Sequence, residues 1–206
     1  MICVPLSLEE STEPFIRAVL PLIHEAGNPY LDWFFGSHER TRVVLDRWLR
    51  RGSSEYSIDR VRALLDEGAL AGAYVGLGGA ELARCRKSDA LAALRDAGLE
   101  GRTELGERLA ERRGLFPPIG DDEFYLSNIG VAASRRGEGL GRVLLGEYLA
   151  EGKANGYTRF RLDVDATNAP ALRLYESIGF RIVHAHSTGA GRLSYCSMVL
   201  DGENGR

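Results

Sequence analysis

Cysteine and histidine are scarce in this chain, three and four in 206 residues. Cys3, Cys85 and Cys196 are widely spaced and form no Cys-x-x-Cys or Cys/His group, so neither a disulfide framework nor a metal site is expected. His24, His38, His184 and His186 read as single, unclustered residues without a role. No apolar run approaches the length of a membrane span, and the start Met1-Ile2-Cys3-Val4-Pro5 has neither a basic nor an apolar leader region. A cytoplasmic protein without membrane contact is the expectation. A surplus of positive charge is missing too: 26 Lys and Arg against 29 Asp and Glu leave a net charge of −3, which gives no electrostatic case for nucleic acid. What is present, 44% hydrophobic and 27% charged residues, suits one substantial globular domain over residues 1–206, as a monomer or homodimer.

The most informative stretch is Arg135-Arg136-Gly137-Glu138-Gly139-Leu140-Gly141-Arg142. Before it, Phe124 to Ala132 reads as a short, largely buried strand bounded by Asp121-Asp122-Glu123. After it, Leu140, Val143, Leu144 and Tyr148 recur at helical spacing. The loop therefore opens a helix, whose first N–H groups lack intrahelical partners and carry the positive end of the dipole, a setting for an anionic ligand. Glycines 137, 139 and 141 present no Cβ to block its approach, and Arg136 and Arg142 add charge. A Walker P-loop requires Gly-Lys-Ser/Thr, and here Gly141 is followed by Arg142-Val143, so that reading fails. A dinucleotide fingerprint is strained, because the sixth position from Gly137 is Arg142. A nucleotide-binding oxidoreductase rests on that strained reading alone.

A second segment follows. Arg159-Phe160-Arg161-Leu162-Asp163-Val164-Asp165 alternates like a strand, and Thr167-Asn168-Ala169-Pro170 has the capping side chains and proline of a helix start. Ala171, Leu172, Leu174, Tyr175 and Ile178 give that helix an apolar side, and Gly179 closes it before Phe180. The pattern Arg136-x-x-Gly139-x-Gly141, followed in order by Asn168, Tyr175 and Gly179-Phe180, resembles the two signatures of the GNAT superfamily of acetyl-CoA-dependent N-acetyltransferases.

The resemblance implies an α/β (α+β by some schemes) fold, with a mixed, mostly antiparallel sheet, helices on both faces and a parallel fourth and fifth strand at its centre. It places an acyl-CoA-binding core over 123–180 and a helical insertion over 88–118. Acetyl-CoA is then the cosubstrate, no metal is needed, and the acceptor is a primary amine of a small molecule or a protein. Main-chain groups of Ile129 and Val131 are implied to hold the pantetheine arm and polarise the thioester, with Arg136, Gly137, Gly139, Gly141 and Arg142 around the pyrophosphate and Asn168 near the pantetheine. Tyr175 matches the family tyrosine that protonates the departing thiolate. The base is open between Asp163, on the fifth strand, and Glu123, before the fourth. A binding module that senses acyl-CoA without turnover is the alternative, and the retained Tyr175 speaks against it.

Elsewhere the pattern is thinner. Ile2 to Leu6 reads as an edge strand, Ser11 to Gly27 as a helix made irregular by Pro21, and Ser37 to Arg50 as an amphipathic helix with arginines on its wet side. The aromatic connection Tyr30, Trp33, Phe34 and Phe35, with Asp32 nearby, suits an acceptor site for a cationic or apolar amine and suits core packing equally. Ser57 to Glu67 reads as a short helix, Ala71–Gly78 with Ala80–Cys85 as a glycine-turned hairpin, and Ser88 to Arg113 as helical with a break at Gly98–Gly101. Phe180–Ala185 and Leu193–Leu200 are the closing strands, joined by the polar stretch from Ser187 to Gly191.

Overall fold

In the computed structural model, which describes residues 1–9, 13–188 and 191–202, the strand Ala69–Gly78 shows how the fold is layered. Ala73, Val75 and Leu77 enter one apolar cluster and Tyr74 enters another, the period-two pattern of a sheet covered on both faces. The strands are β1 (Ile2–Pro5), β2 (Val61–Asp66), β3 (Ala69–Gly78), β4 (Glu123–Val131), β5 (Arg159–Asp165), β6 (Arg181–Ser187) and β7 (Ser194–Asp201). They form one seven-stranded sheet in the order β1-β2-β3-β4-β5-β7-β6. Every neighbouring pair is antiparallel except β4 and β5, which run parallel at the middle.

Five helices supply the first apolar layer: α1 (Glu13–Gly27), α2 (Tyr30–Phe35), α3 (His38–Leu49), α4 (Gly79–Asp96) and α5 (Gly98–Leu115). Two build the second, α6 (Leu140–Ala154) and α7 (Ala169–Ile178). Local signals set their ends. Ser37 accepts from the Arg40 amide at the start of α3, Asn168 does the same for Ala171 at the start of α7, and Gly179 ends α7 at φ 104°. Pro21 lies inside α1, and the helix runs on through it. The expected start of this helix at Ser11-Thr12 lies outside the described residues, as do Gly189 and Ala190. No helix among the described residues is long and apolar enough to cross a membrane.

Four expectations are corrected. Ser57–Glu67 is not a helix: one 3-10 turn, Ile58–Arg60, capped by Ser57, leads straight into β2. Glu67 and Gly68, at φ 49° and 84°, make a two-residue turn that pairs Asp66 with Ala69, so the hairpin partner of β3 precedes it. Ala80–Cys85 is accordingly the first part of α4, not a strand. The glycines there mark close approach: a Cβ on Gly78 would lie 1.9 Å from the Tyr157 hydroxyl, and one on Gly79 1.9 Å from the Gly120 carbonyl. The break between the long helices falls at Ala97, and the helical stretch starts at Gly79 rather than Ser88. The Tyr30–Phe35 connection is itself a short helix, closed by Gly36 at φ 93°.

Candidate active site

The site begins where the sheet opens. Parallel pairing of β4 with β5 runs from Glu123 and Arg159 to Leu126 and Leu162 and then stops. At that point β4 holds one extra residue against β3, because Asn128 pairs Val75 while Leu126 pairs Gly76, and the bulge at Ser127 turns the strand. The resulting gap is a cavity of about 560 Å³, with Ile129 and Val131 on one wall, Asp163 on the other, and Asn168 and Tyr175 from the α7 side. Arg136 and Gly141 stand at its mouth. They connect it to a second cavity of about 260 Å³ formed by Arg136, Gly137, Gly139, Gly141 and Arg142.

The loop geometry follows from its glycines. Gly137 and Gly139 are left-handed at φ 85° and 78°, Gly139 is the N-cap of α6, and no side chain caps that helix. Its first N–H groups therefore face an open hollow, as an anion site requires. Arg142 donates to the Ser177 hydroxyl at 2.7 Å, while Arg136 is paired with Glu25 on the surface. The Asn168 side chain is occupied as the cap of α7.

Two side chains inside the gap have chemical consequences. Tyr175 is buried, no hydrogen bond within the described residues engages its hydroxyl, and burial pushes its phenol up, so it is held in the protonated, donating form. Asn128 is 5% exposed, lines the gap, and has no partner for either polar atom of its amide. An orphaned buried amide costs roughly 1–3 kcal/mol, and a polar arm threaded between β4 and β5 would satisfy it. The chain thus fits a cofactor with a diphosphate at one end and an amide-bearing arm at the other.

A third cavity of about 130 Å³ adjoins the gap, and Ala26, Ser127, Asp163 and Tyr195 line both. This junction is where a reacting group would meet an acceptor. Asp163 accepts from the Tyr125 hydroxyl at 3.0 Å and from Ser197. Tyr30 and Phe34 line the third cavity, whereas Trp33 packs behind them with ring centroids 6.0 and 6.4 Å away.

Glu123 is not brought to the site. It sits at the other end of β4, 5% exposed, bound by Arg159 at 3.0 Å, Arg161 at 3.4 Å and the Gly120 amide at 2.7 Å. Asp32 is turned away as well, held by His24 at 2.6 Å and Asn28 at 2.9 Å. His24 and His38 are therefore not isolated: with Asp32 they form the one group among the described residues with metal-ligand composition, all three ligand atoms within 4.8 Å. His184 and His186 are also in contact, with ring centroids 3.4 Å apart.

Sequence reasoning missed the charges of the third cavity. Glu55, 4% exposed, accepts from Arg86 at 3.0 Å and from Ser127 at 2.6 Å. Burial opposes its ionisation, yet the Arg86 guanidinium and the Ser127 hydroxyl hold its carboxyl below the usual range. Asp89 is paired with Arg51 and accepts from the Glu55 amide at 2.9 Å, and burial pushes it up to about 6. Arg112 completes the set. These partners lie about thirty or more residues apart in sequence, and no local spacing signals them.

The profile of the Acetyltransferase (GNAT) family matches residues 31–180. The chain belongs to that family. Among curated relatives, a mycothiol acetyltransferase of Thermobispora bispora is 44% identical over 71 residues, covering 34% of this chain and 23% of that protein. The [Ribosomal protein bS18]-alanine N-acetyltransferase of Escherichia coli is 44% identical over 59 residues, 29% of this chain and 40% of that one. The matched segments thus span well under half of these relatives. Solved structures agree over the whole chain: an N-acetyltransferase from Staphylococcus aureus Mu50 superposes with TM-score 0.69 at 16% identity, over 97% of this chain and 100% of that one. A family acetyltransferase from Elizabethkingia anophelis with acetyl-CoA bound superposes with TM-score 0.56 at 15% identity, over 97% of each chain. At such identities the likeness is one of fold, and the GNAT architecture is the one observed here.

Proposed function

We propose that this GNAT protein is an N-acetyltransferase that moves the acetyl group of acetyl-CoA directly to a primary amine of a small molecule or a protein. The observation that carries the reading is the continuous path from the uncapped glycine loop of α6, through the β4/β5 gap lined by Asn128 and Tyr175, to the Asp163 junction with a separate cavity. Bound acetyl-CoA supplies an activated thioester carbonyl. Glycine N–H groups at the start of α6 hold its diphosphate, and the wall of β4 from Asn128 to Val131 holds its arm.

Asp163 takes one proton from the acceptor ammonium and frees the nitrogen lone pair. As the new N–C bond forms and the C–S bond breaks, Tyr175 gives its phenolic proton to sulfur. It recovers that proton from the acylated nitrogen, and the proton on Asp163 passes to water. Direct transfer is favoured because all three thiols are poor nucleophiles: Cys3 is pushed up to about 11 by burial, and Cys85 and Cys196 are raised in the same way. The base role falls to Asp163 because Glu123 is bound elsewhere.

The test pairs thermal shift with a thiol-release assay over a library of amines. Stabilisation by acetyl-CoA together with amine-dependent release of CoA is the expected result. Stabilisation with no release for any amine would turn the reading into an acyl-CoA sensor, and no stabilisation by any acyl-CoA would remove it.

A further inference from the structure

The third cavity holds three carboxylates and two arginines in its lining, with Arg51 reaching in from α3's end to Asp89. Two of these charges are matched within the protein: Glu55 by Arg86, and Asp89 by Arg51. That leaves Arg112, which makes no close ion pair among the described residues although it interacts with the Tyr30 hydroxyl and feels Glu55 at longer range, and Asp163, whose partners Tyr125 and Ser197 are neutral. The two remaining charges are of opposite sign and line one cavity. Asp163 also lines the gap between β4 and β5, whereas Arg112 lines only the third cavity, at the end of α5, with its guanidinium 5.8 Å from the Phe116 ring centroid. Between them the walls are largely aromatic and apolar, including Tyr30, Phe34 and Tyr125.

A half-buried guanidinium in an aromatic pocket is poorly hydrated and presents a planar fork of donors that matches a carboxylate. A bare amine would leave the donors of that fork not taken by Tyr30 unanswered, and a peptide N-terminus would offer them only a neutral amide. We infer that the acceptor is a free amino acid of modest size, with its amino group at Asp163 and its carboxylate bound by Arg112. A cavity of about 130 Å³ suits such a molecule and not a folded protein surface. The inference rests on the acetyltransferase reading for its chemistry, the acetyl transfer to the amine, but the binding site it names does not.

The test uses L-alanine, L-leucine and L-phenylalanine, each beside its α-amide and its decarboxylated amine, with the intact protein. Calorimetric binding and acetyl-CoA-dependent thiol release are both read. The amino acids are expected to bind at least tenfold more tightly than their amides and amines. Arg112→Leu should erase that preference by raising Kd and KM for the amino acids tenfold or more, leaving kcat within about twofold. Arg112→Lys, which keeps the charge and loses the fork, should keep part of the preference and controls for a loss of fold. Equal affinity across each trio, equal weakening of all three ligands by Arg112→Leu, or no binding by any amino acid overturns the inference. Turnover of bare amines without preference does so too, while leaving the acetyltransferase intact. Arg112-dependent binding without acetyl transfer has the opposite meaning: the subsite stands and the enzyme reading falls.

Discussion

The two halves of the candidate site are built by different means. On the α6–α7 side, glycines 137 and 139, an uncapped helix start and an opened strand pair present backbone, with Tyr175 and Asn128 among the polar side chains in the gap. On the α2–α5 side, the third cavity is built from side chains: Glu55 with Arg86, Asp89 with Arg51, and aromatic rings between. Backbone geometry is dictated by a few residues close in sequence, whereas a lattice of buried charges depends on partners far apart. One half is therefore carried by a short signature, and the other by residues scattered along the chain.

The sharpest way to break this contrast is to remove one charge. Arg86→Met leaves buried Glu55 without its ion-pair partner, with Ser127 and the more distant Arg112 remaining, and should cost about 3 kcal/mol in urea unfolding, with most of it recovered in the Glu55→Gln, Arg86→Met double variant. A single-variant cost below about 1 kcal/mol would mean the pocket is not built on ion pairs.

Next in size is a pH effect. Asp89 stands at about 6, above its ordinary 3.8, so the fold favours its protonated form. Its contribution to stability is full below the unfolded value and declines as pH rises through about 6. Relative to Asp89→Asn, which does not titrate, the parent should lose roughly 2 kcal/mol of stability between pH 4 and pH 7.5. A gap that is constant with pH would show that Arg51 already offsets the burial.

On the other side of the comparison, Tyr175→Phe should lower kcat by roughly a hundredfold with acetyl-CoA affinity unchanged. Full turnover by the Phe variant would assign protonation of the thiolate to water or another group. Gly139→Val places a β-branched residue at φ 78° and should weaken acetyl-CoA about tenfold. Gly146→Ala on the open face of α6, where a Cβ meets nothing within 4 Å, should leave affinity alone. The smallest effect belongs to Arg136→Ala. Its guanidinium is already paired with exposed Glu25, so a loss of two- to threefold, fading with added salt, is expected in titrations at two ionic strengths.

The elements from Phe124 to Phe180 were legible because each carried its own local sign: a period-two strand, a glycine loop, a capped helix, a left-handed stop. The stretch from Ser57 to Cys85 was not. Val61, Leu64 and Leu65 fit helical spacing as well as a strand, and the weight of the decision lay on Glu67-Gly68, a turn outside the usual Asn-Gly and Asp-Gly pairs. Gly78 and Gly79 pointed to a turn when their cause was a contact with Tyr157 and Gly120 some forty or more residues away. Of the candidate residues that line the gap, Tyr175, Asn168 and the loop were singled out by the family signatures they resemble, and Asp163 by its place on β5. Glu55, Arg86, Asp89 and Arg112 were invisible, because each is ordinary in its own neighbourhood and gains its meaning only from a distant partner.

The helical pair α4–α5 leaves the sheet after Gly78 and returns to it just before Phe124, and those two residues face each other in the β3–β4 ladder. Its ends thus meet at a point where a tight turn could join the same strands, and the register of the sheet does not depend on what lies between. Because closure of a loop depends only weakly on its length, this segment can change in length at little entropic cost to the strands that hold it, provided the buried positions Leu82, Cys85, Ala93 and Leu105 keep covering the sheet. Arg86, Asp89 and Arg112 all ride on it. Under the proposed function, part of the acceptor pocket is thus a cassette: a change confined to one continuous piece of chain would alter three of the charged positions around the third cavity and leave the glycine loop and the β4/β5 gap as they are.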